Sequence, residues 1–260
     1  MKTVDIRMLD RHPGRRIQNG ETFAFECRPD LACFNRCCRN LNLFLYPYDV
    51  LRLKNALGMH SSRFLDRHVD VVLRPGHHFP DLLLRMTDHA HQSCPFVTPS
   101  GCSVYADRPG TCRLFPAERG RYFDTGAECW RTVTYFRPPS FCLGIKTEKT
   151  WTADAWAANQ KSGPYHDMTI RWADLVARFD DNTWGAEGPE GSRAKMTFMA
   201  VYNLDAFRDF IFNSSFLKRY RLNPGVVGRI KKDDASLLRF GFEWVRFFLW
   251  GQSASMLRPR

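Results

Sequence analysis

Apolar positions recur along this chain in two rhythms, one helical and one alternating. After Cys38, NLNLFLYPYDVLRLKNALGM sets Val50, Leu53 and Leu57 at helical spacing, opened by Asn42, Pro47 and Asp49 and closed by Gly58. That pattern predicts a helix of about eleven residues. Ser61 or Ser62 is placed to cap a second helix, with Phe64, Leu65, Val69 and Val72 facing inward and Pro75-Gly76 as its stop. Leu82, Leu84 and Met86 alternate with Leu83 and Arg85, which predicts a strand, and TFAFE near the start predicts another. In CPFVTPSGCSVY, Phe96-Val97 and Val104-Tyr105 flank Thr98-Pro99-Ser100-Gly101, the pattern of a hairpin. ADRPGTCRLFP follows, with Asp107 and Pro109 opening a turn or short helix that carries Cys112 and ends at Pro116.

From Thr150 onward the rhythm is helical. Trp151 to Gln160, Tyr165 to Phe179, Lys195 to Tyr220 and Ala235 to Trp250 are the expected helices, separated by DDNTWGAEGPEGS and LNPG. Met196, Met199, Tyr202, Asn203, Phe207, Phe210 and Ile211 mark an inner face of the third, a spacing that belongs to a packed core. The apolar SLLRFGFEWVRFFLW carries Arg239, Glu243 and Arg246 and is about 15 residues long, short of the roughly 20 apolar residues a membrane span needs. It predicts a buried amphipathic helix with Leu238, Phe242, Val245 and Leu249 inward, and the chain is expected to have no membrane span.

The cysteines change this picture. All nine lie in the first 142 of 260 residues, beginning with CRPDLACFNRCC. The charged start, MKTVDIRMLDRHPGRRIQNG, has no apolar run of secretory type, so a cytoplasmic location is expected. Nine is an odd number, the chain is long enough to bury a core without staples, and an oxidised vicinal pair closes a strained ring. Metal or cluster ligation is therefore expected over a disulfide framework.

Spacing narrows the chemistry. The order is Cys-x5-Cys-x3-Cys-Cys, then 55 residues, then Cys-x7-Cys-x9-Cys, with Cys129 and Cys142 after. Zinc fingers, zinc ribbons and ferredoxins use Cys-x2-Cys turns, and none occurs. A Cys-x3-Cys-x2-Cys signature starting at Cys33 fails at Asn40. Thiolate-only sites suit zinc, copper(I) and iron-sulfur clusters, and adjacent Cys37 and Cys38 project differently, as suits two neighbouring sites. His77, His78, His89 and His91 precede Cys94, and His89 and His91 share one face of an extended segment within reach of a metal. Arg108 and Arg113 bracket Cys112, placed to hydrogen-bond thiolates or an anionic substrate.

The cysteine cluster ending in Cys-Cys, PYDVLRLKNALG, CPFV, GCSVYADRPGTCRLFP and FCLGI together resemble the YkgJ-type cysteine-cluster proteins, zinc- or iron-chelating domains, over residues 23 to about 146. Val104-Tyr105, Arg108-Pro109 and Cys112 to Pro116 are the most specific part. The resemblance implies eight metal ligands, Cys27, Cys33, Cys37, Cys38, Cys94, Cys102, Cys112 and Cys142, and leaves Cys129 over. The common family form, Cys-x2-Cys-x2-Cys-Cys, has shorter intervals than this chain. Flagellin lysine N-methylases carry a similar, more widely spaced cluster and are associated with an iron-sulfur centre, which implies SAM-dependent protein methylation as an alternative. No motif for SAM supports it, since the glycines of GAEGPEGS lie between predicted helices.

Net charge is +11 and the pI near 9.4, falling to roughly +7 if two four-thiolate 4Fe-4S clusters bind. The basic residues form no tail, so a solvated cationic surface is expected, with a nucleic-acid-binding module as a further alternative. The expected fold is α+β and mostly helical. Residues 20–146 form an irregular cysteine-cluster metal-binding domain with a short hairpin, and 150–260 a helical C-terminal region packed on it. The expected function is that of a cysteine-cluster metalloprotein, iron-sulfur favoured over zinc, in a redox, metal-handling or protein-modifying role. Its partner would be a protein substrate or redox protein. Binding protein and enzyme both remain open.

Overall fold

Strand Thr22–Ala24 pairs antiparallel with Thr150–Thr152, Phe23 opposite Trp151, so residues more than a hundred apart share one ladder. The computed structural model describes residues 2–88 and 91–260. Its fold is α+β and mostly helical. The chain divides into two compact units, each assembled from two segments: 1–41 with 86–167, and 42–85 with 168–260.

In the first unit, Ala117–Asp124 and Cys129–Phe136 form the longest hairpin. It is flanked by Lys2–Thr3, parallel to the first strand, and by Arg15–Ile17, antiparallel to the second. No expectation from the sequence covers this hairpin. Apolar residues fall on both faces of its strands, interspersed with Glu118, Arg119, Arg121, Thr132 and Thr134, so hydrophobicity shows no clean period of two. Ile17, Phe23, Phe25, Ala117, Cys142 and Trp156 form a core against which Phe115, Phe136 and Trp151 pack. Trp156 Nε1 donates to the Leu114 carbonyl and Trp151 Nε1 to the Phe25 carbonyl, both at 2.8 Å, so the large rings bury without stranding a donor. The short cysteine hairpin pairs Val97–Thr98 with Gly101–Cys102, leaving Pro99 and Ser100 as its turn. It is tighter than the expected one, and Gly101 takes φ 121 to close it.

In the second unit, helix Pro47–Ala56 forms as expected, with Asp49 accepting from the Tyr46 amide at 2.9 Å. The next helix runs Ser61–His68, capped by His60 rather than a serine. It stops before Val69: the β-branched run Val69–Val72 is a strand paired with Asp81–Leu84, so Val69 and Val72 do not continue the helical face. The expected helix from Lys195 to Tyr220 is three, Ser192–Val201, Leu204–Asn213 and Phe216–Arg219, interrupted at Asn203 and at Ser214-Ser215. A further helix, Pro224–Lys232, lies in the segment read as a turn. Helix Asp234–Trp250 buries Leu237, Leu238, Phe240, Phe242, Trp244, Val245 and Leu249 and ends at Gly251 in the left-handed region. No helix among the described residues is long and apolar enough to cross a membrane.

Candidate metal centre

Four of the nine thiols line one pocket in the first unit. Cys27, Cys33, Cys37 and Cys142 share it with Phe25, Phe115, Phe141 and Gly144. Each arrives by a local constraint. The strand holding Phe23 runs on to Phe25 and Glu26, whose amides donate to the Lys149 and Gly144 carbonyls at 3.0 and 2.8 Å, fixing Cys27 beside the Cys142 turn. Between Cys27 and Cys38 the chain coils through successive tight turns: Leu31 to Arg28, Phe34 to Leu31, Arg36 to Cys33 and Cys38 to Asn35. Asn35 adopts φ 64 to allow this, and its side-chain amide donates to the Thr98 carbonyl at 2.9 Å. Leu143 N–H donates to Cys33 Sγ at 3.3 Å, and Arg36 lies 4.6 Å from the Phe141 ring centroid.

Gly144 makes the close approach possible. A Cβ there would stand 2.7 Å from the Glu26 carbonyl oxygen and 3.0 Å from the Phe25 ring. FCLGI drew notice for its cysteine, and the glycine two residues on is the position that spacing arguments missed.

Burial and mutual repulsion shape the thiols. Burial first, then Cys37, Cys33 and Cys142, push the Cys27 thiol up to about 11. A hydrogen bond with Cys38 pushes Cys37 up, and burial adds to it. Burial also raises Cys142, with Cys33 and Cys37 adding to it, while the amides of Gly144 and Ile145 pull the other way. Thiols held protonated in this way ionise more readily beside a cation, which is the condition thiolate–metal binding meets.

The remaining candidates gather around the short hairpin. Cys94 N–H donates to the Cys38 carbonyl at 2.8 Å, and Asn40 N–H to Gln92 at 2.9 Å. Cys102 lies opposite Val97 in the hairpin, and Cys112 rides helix Gly110–Leu114. Burial raises Cys94, opposed by the amides of Phe96 and Val97, and Cys102 adds to the rise. Burial raises Cys102 likewise, opposed by the Val104 amide and the Arg108 charge. At Cys94, Cys102 and Cys142, then, amides two or three residues downstream lower the thiol against the effect of burial. N–H donors aimed at a sulfur favour its anionic form, so the donor set fits a thiolate-bound metal.

Cys129 is exposed at the start of strand Cys129–Phe136. Among the described residues, no three His, Cys, Asp or Glu side chains close around a single ion. His89 lies outside the described residues. His77 and His78 belong to the second unit, where they pair with Asp81 at 3.1 Å and Asp181 at 3.3 Å.

The first unit thus holds a cysteine-cluster module. Residues 26–142 match the CxxCxxCC family model, described as a "putative zinc- or iron-chelating domain". No curated protein and no solved structure matches.

Proposed function

We propose that the first unit binds thiolate-ligated metal in two neighbouring groups, Cys27, Cys33, Cys37 and Cys142 in one and Cys38, Cys94, Cys102 and Cys112 in the other. The observation that carries this is the pocket shared by Cys27, Cys33, Cys37 and Cys142; Cys38, whose thiol meets that of Cys37, is joined to Cys94 through its backbone carbonyl. A metal drawn into either group supplies the positive charge that lets four thiols ionise together. Iron-sulfur is the favoured form on the spacing argument, since the chain lacks the Cys-x2-Cys turns of zinc ribbons. Such a centre equips the unit for electron transfer, or for supporting modification of a partner protein.

Zinc is the second reading, and a specific observation favours it. Four thiols line the pocket, the number of ligands a tetrahedral zinc takes. Methyl transfer has less behind it: the glycines from Gly185 to Gly188 lie in a 3-10 turn between helical segments, where no strand leads into a glycine loop.

Anaerobic purification followed by metal and sulfide analysis and a visible spectrum tests the proposal. About four irons and four sulfides per site supports clusters; a colourless protein with stoichiometric zinc supports the second reading. A folded protein that takes up neither iron nor zinc sinks both.

A further inference from the structure

Arg108 and Arg113 are buried to 8% and 4% exposure, and neither meets a carboxylate among the described residues. Arg108 donates to the Tyr105 carbonyl and the Gln160 side-chain oxygen, and its guanidinium lies 3.7 Å from the centroid of the Tyr105 ring. Arg113 donates to the carbonyls of Gln160 and Ala106 at 2.7 and 2.6 Å and to the Tyr165 hydroxyl at 3.2 Å. Its ring partner is Tyr165, 4.5 Å away, and its buried Nε–H has no acceptor among the described residues. Carbonyls, an amide and two rings offer partial charges only. Two full positive charges are left in the interior without a full negative one, a state that protein interiors avoid.

The sequence places both arginines around Cys112, and Arg108 on the loop between Cys102 and Cys112. Burial works against the Arg108 charge, and Tyr105, Cys102 and Cys112 all act on it electrostatically in its favour. A divalent ion held by four thiolates carries a net charge of about −2, as does an oxidised four-iron cluster with four thiolates. That charge equals the two guanidiniums in magnitude and is opposite in sign.

We propose that Arg108 and Arg113 are the counter-charges of the thiolate group that includes Cys102 and Cys112, and that they hold metal there by neutralising it. They are positioning residues and no ligands. This inference rests on the metal reading above and adds to it a dependence on charge outside the ligand shell. Gln160 and Tyr165, brought in from the far end of the unit, act in this arrangement to hold the guanidiniums in place.

The test compares full-length wild type, Arg108→Gln, Arg108→Lys and Arg119→Gln, each loaded with zinc or reconstituted with iron and sulfide, in competition with a chelator. Arg119 serves as control because its partner is Asp154 on the same unit. Arg108→Gln should weaken metal retention by about 10- to 100-fold, the range seen when groups behind a ligand are lost. Arg108→Lys should recover most of that loss, and Arg119→Gln should match wild type. Equal loss in the Gln and Lys variants would mean that hydrogen bonding matters and charge does not, which overturns the proposal. So does a Gln variant that retains metal like wild type. If circular dichroism shows Arg108→Gln unfolded, the Lys variant decides alone: retention near wild type supports the proposal, and a tenfold loss overturns it. Wild type that takes up no metal overturns the metal reading itself, and this inference with it.

Discussion

Cys94 N–H donates to the Cys38 carbonyl at 2.8 Å, although 55 residues separate the two. The contact ties down both ends of an excursion, since residues 42–85 belong to the second unit. The long gap in the cysteine pattern therefore coincides with a segment that folds with the second unit.

Gly144→Ala should damage the centre without touching a thiol. The added methyl meets the Glu26 carbonyl and the Phe25 ring, and overpacking of this kind costs about 1–3 kcal/mol. The expected outcome is a lower thermal midpoint together with reduced metal content. A variant with unchanged metal content would show that the Cys27 and Cys142 turns need no close contact.

Cysteine replacements should separate sharply. Cys33→Ser and Cys112→Ser should each lose metal, whereas Cys129→Ser, altering an exposed thiol at a hairpin end, should keep it. Elemental analysis of the three purified variants checks this, and equal loss in all of them would break the division into eight ligands and one spare. In metal-free protein an alkylating reagent at neutral pH should modify Cys129 first. Buried Cys33 and Cys142 should lag.

The second unit has its own acid sensitivity. Lys54, 6% exposed at its side chain, stands 3.0 Å from Asp205 and 3.2 Å from Asp234, and Arg208 joins both carboxylates. Burial pushes Asp205 up, but hydrogen bonds from Lys54 and the Ser61 amide outweigh it and hold the acid below its usual range. Asp234 is likewise raised by burial and lowered further by Asn55, Arg208 and Lys54. Depressed folded values stabilise the fold above the unfolded carboxylate pKa and lose that contribution as pH falls through them. Stability should hold down to about pH 5 and decline below about pH 4. Lys54→Met should cost about 3 kcal/mol, at the low end for a broken buried pair because Arg208 remains. Denaturant melts across pH measure both.

Gly241 inverts a general expectation. Alanine in a helix interior is normally favoured over glycine by about 1 kcal/mol. Here a methyl on Gly241 would collide with the Ala200 carbonyl on helix Ser192–Val201, so Gly241→Ala should lower the unfolding midpoint instead of raising it.

What could be read from the sequence follows from range. Helix Pro47–Ala56 was legible because Pro47 and Asp49 act on their immediate neighbours. The break in the Lys195–Tyr220 pattern was not, because Asn203 is held by a hydrogen bond from Ser61, 142 residues earlier. The same holds for the site. The family motifs exposed the thiols, but the grouping of Cys142 with Cys27, Cys33 and Cys37 depends on contacts such as Glu26 to Gly144, which no interval between cysteines encodes.

The division of the first unit between two distant segments sets a schedule for its synthesis. Cys38 leaves the ribosome 104 residues ahead of Cys142, a lag of roughly 5–20 s at ordinary rates of translation. Throughout that interval Cys27, Cys33 and Cys37 stand beside an unfinished pocket, open to oxidants and to stray metal. If Cys142 is a ligand as proposed, its site can be completed only after residue 142 has emerged.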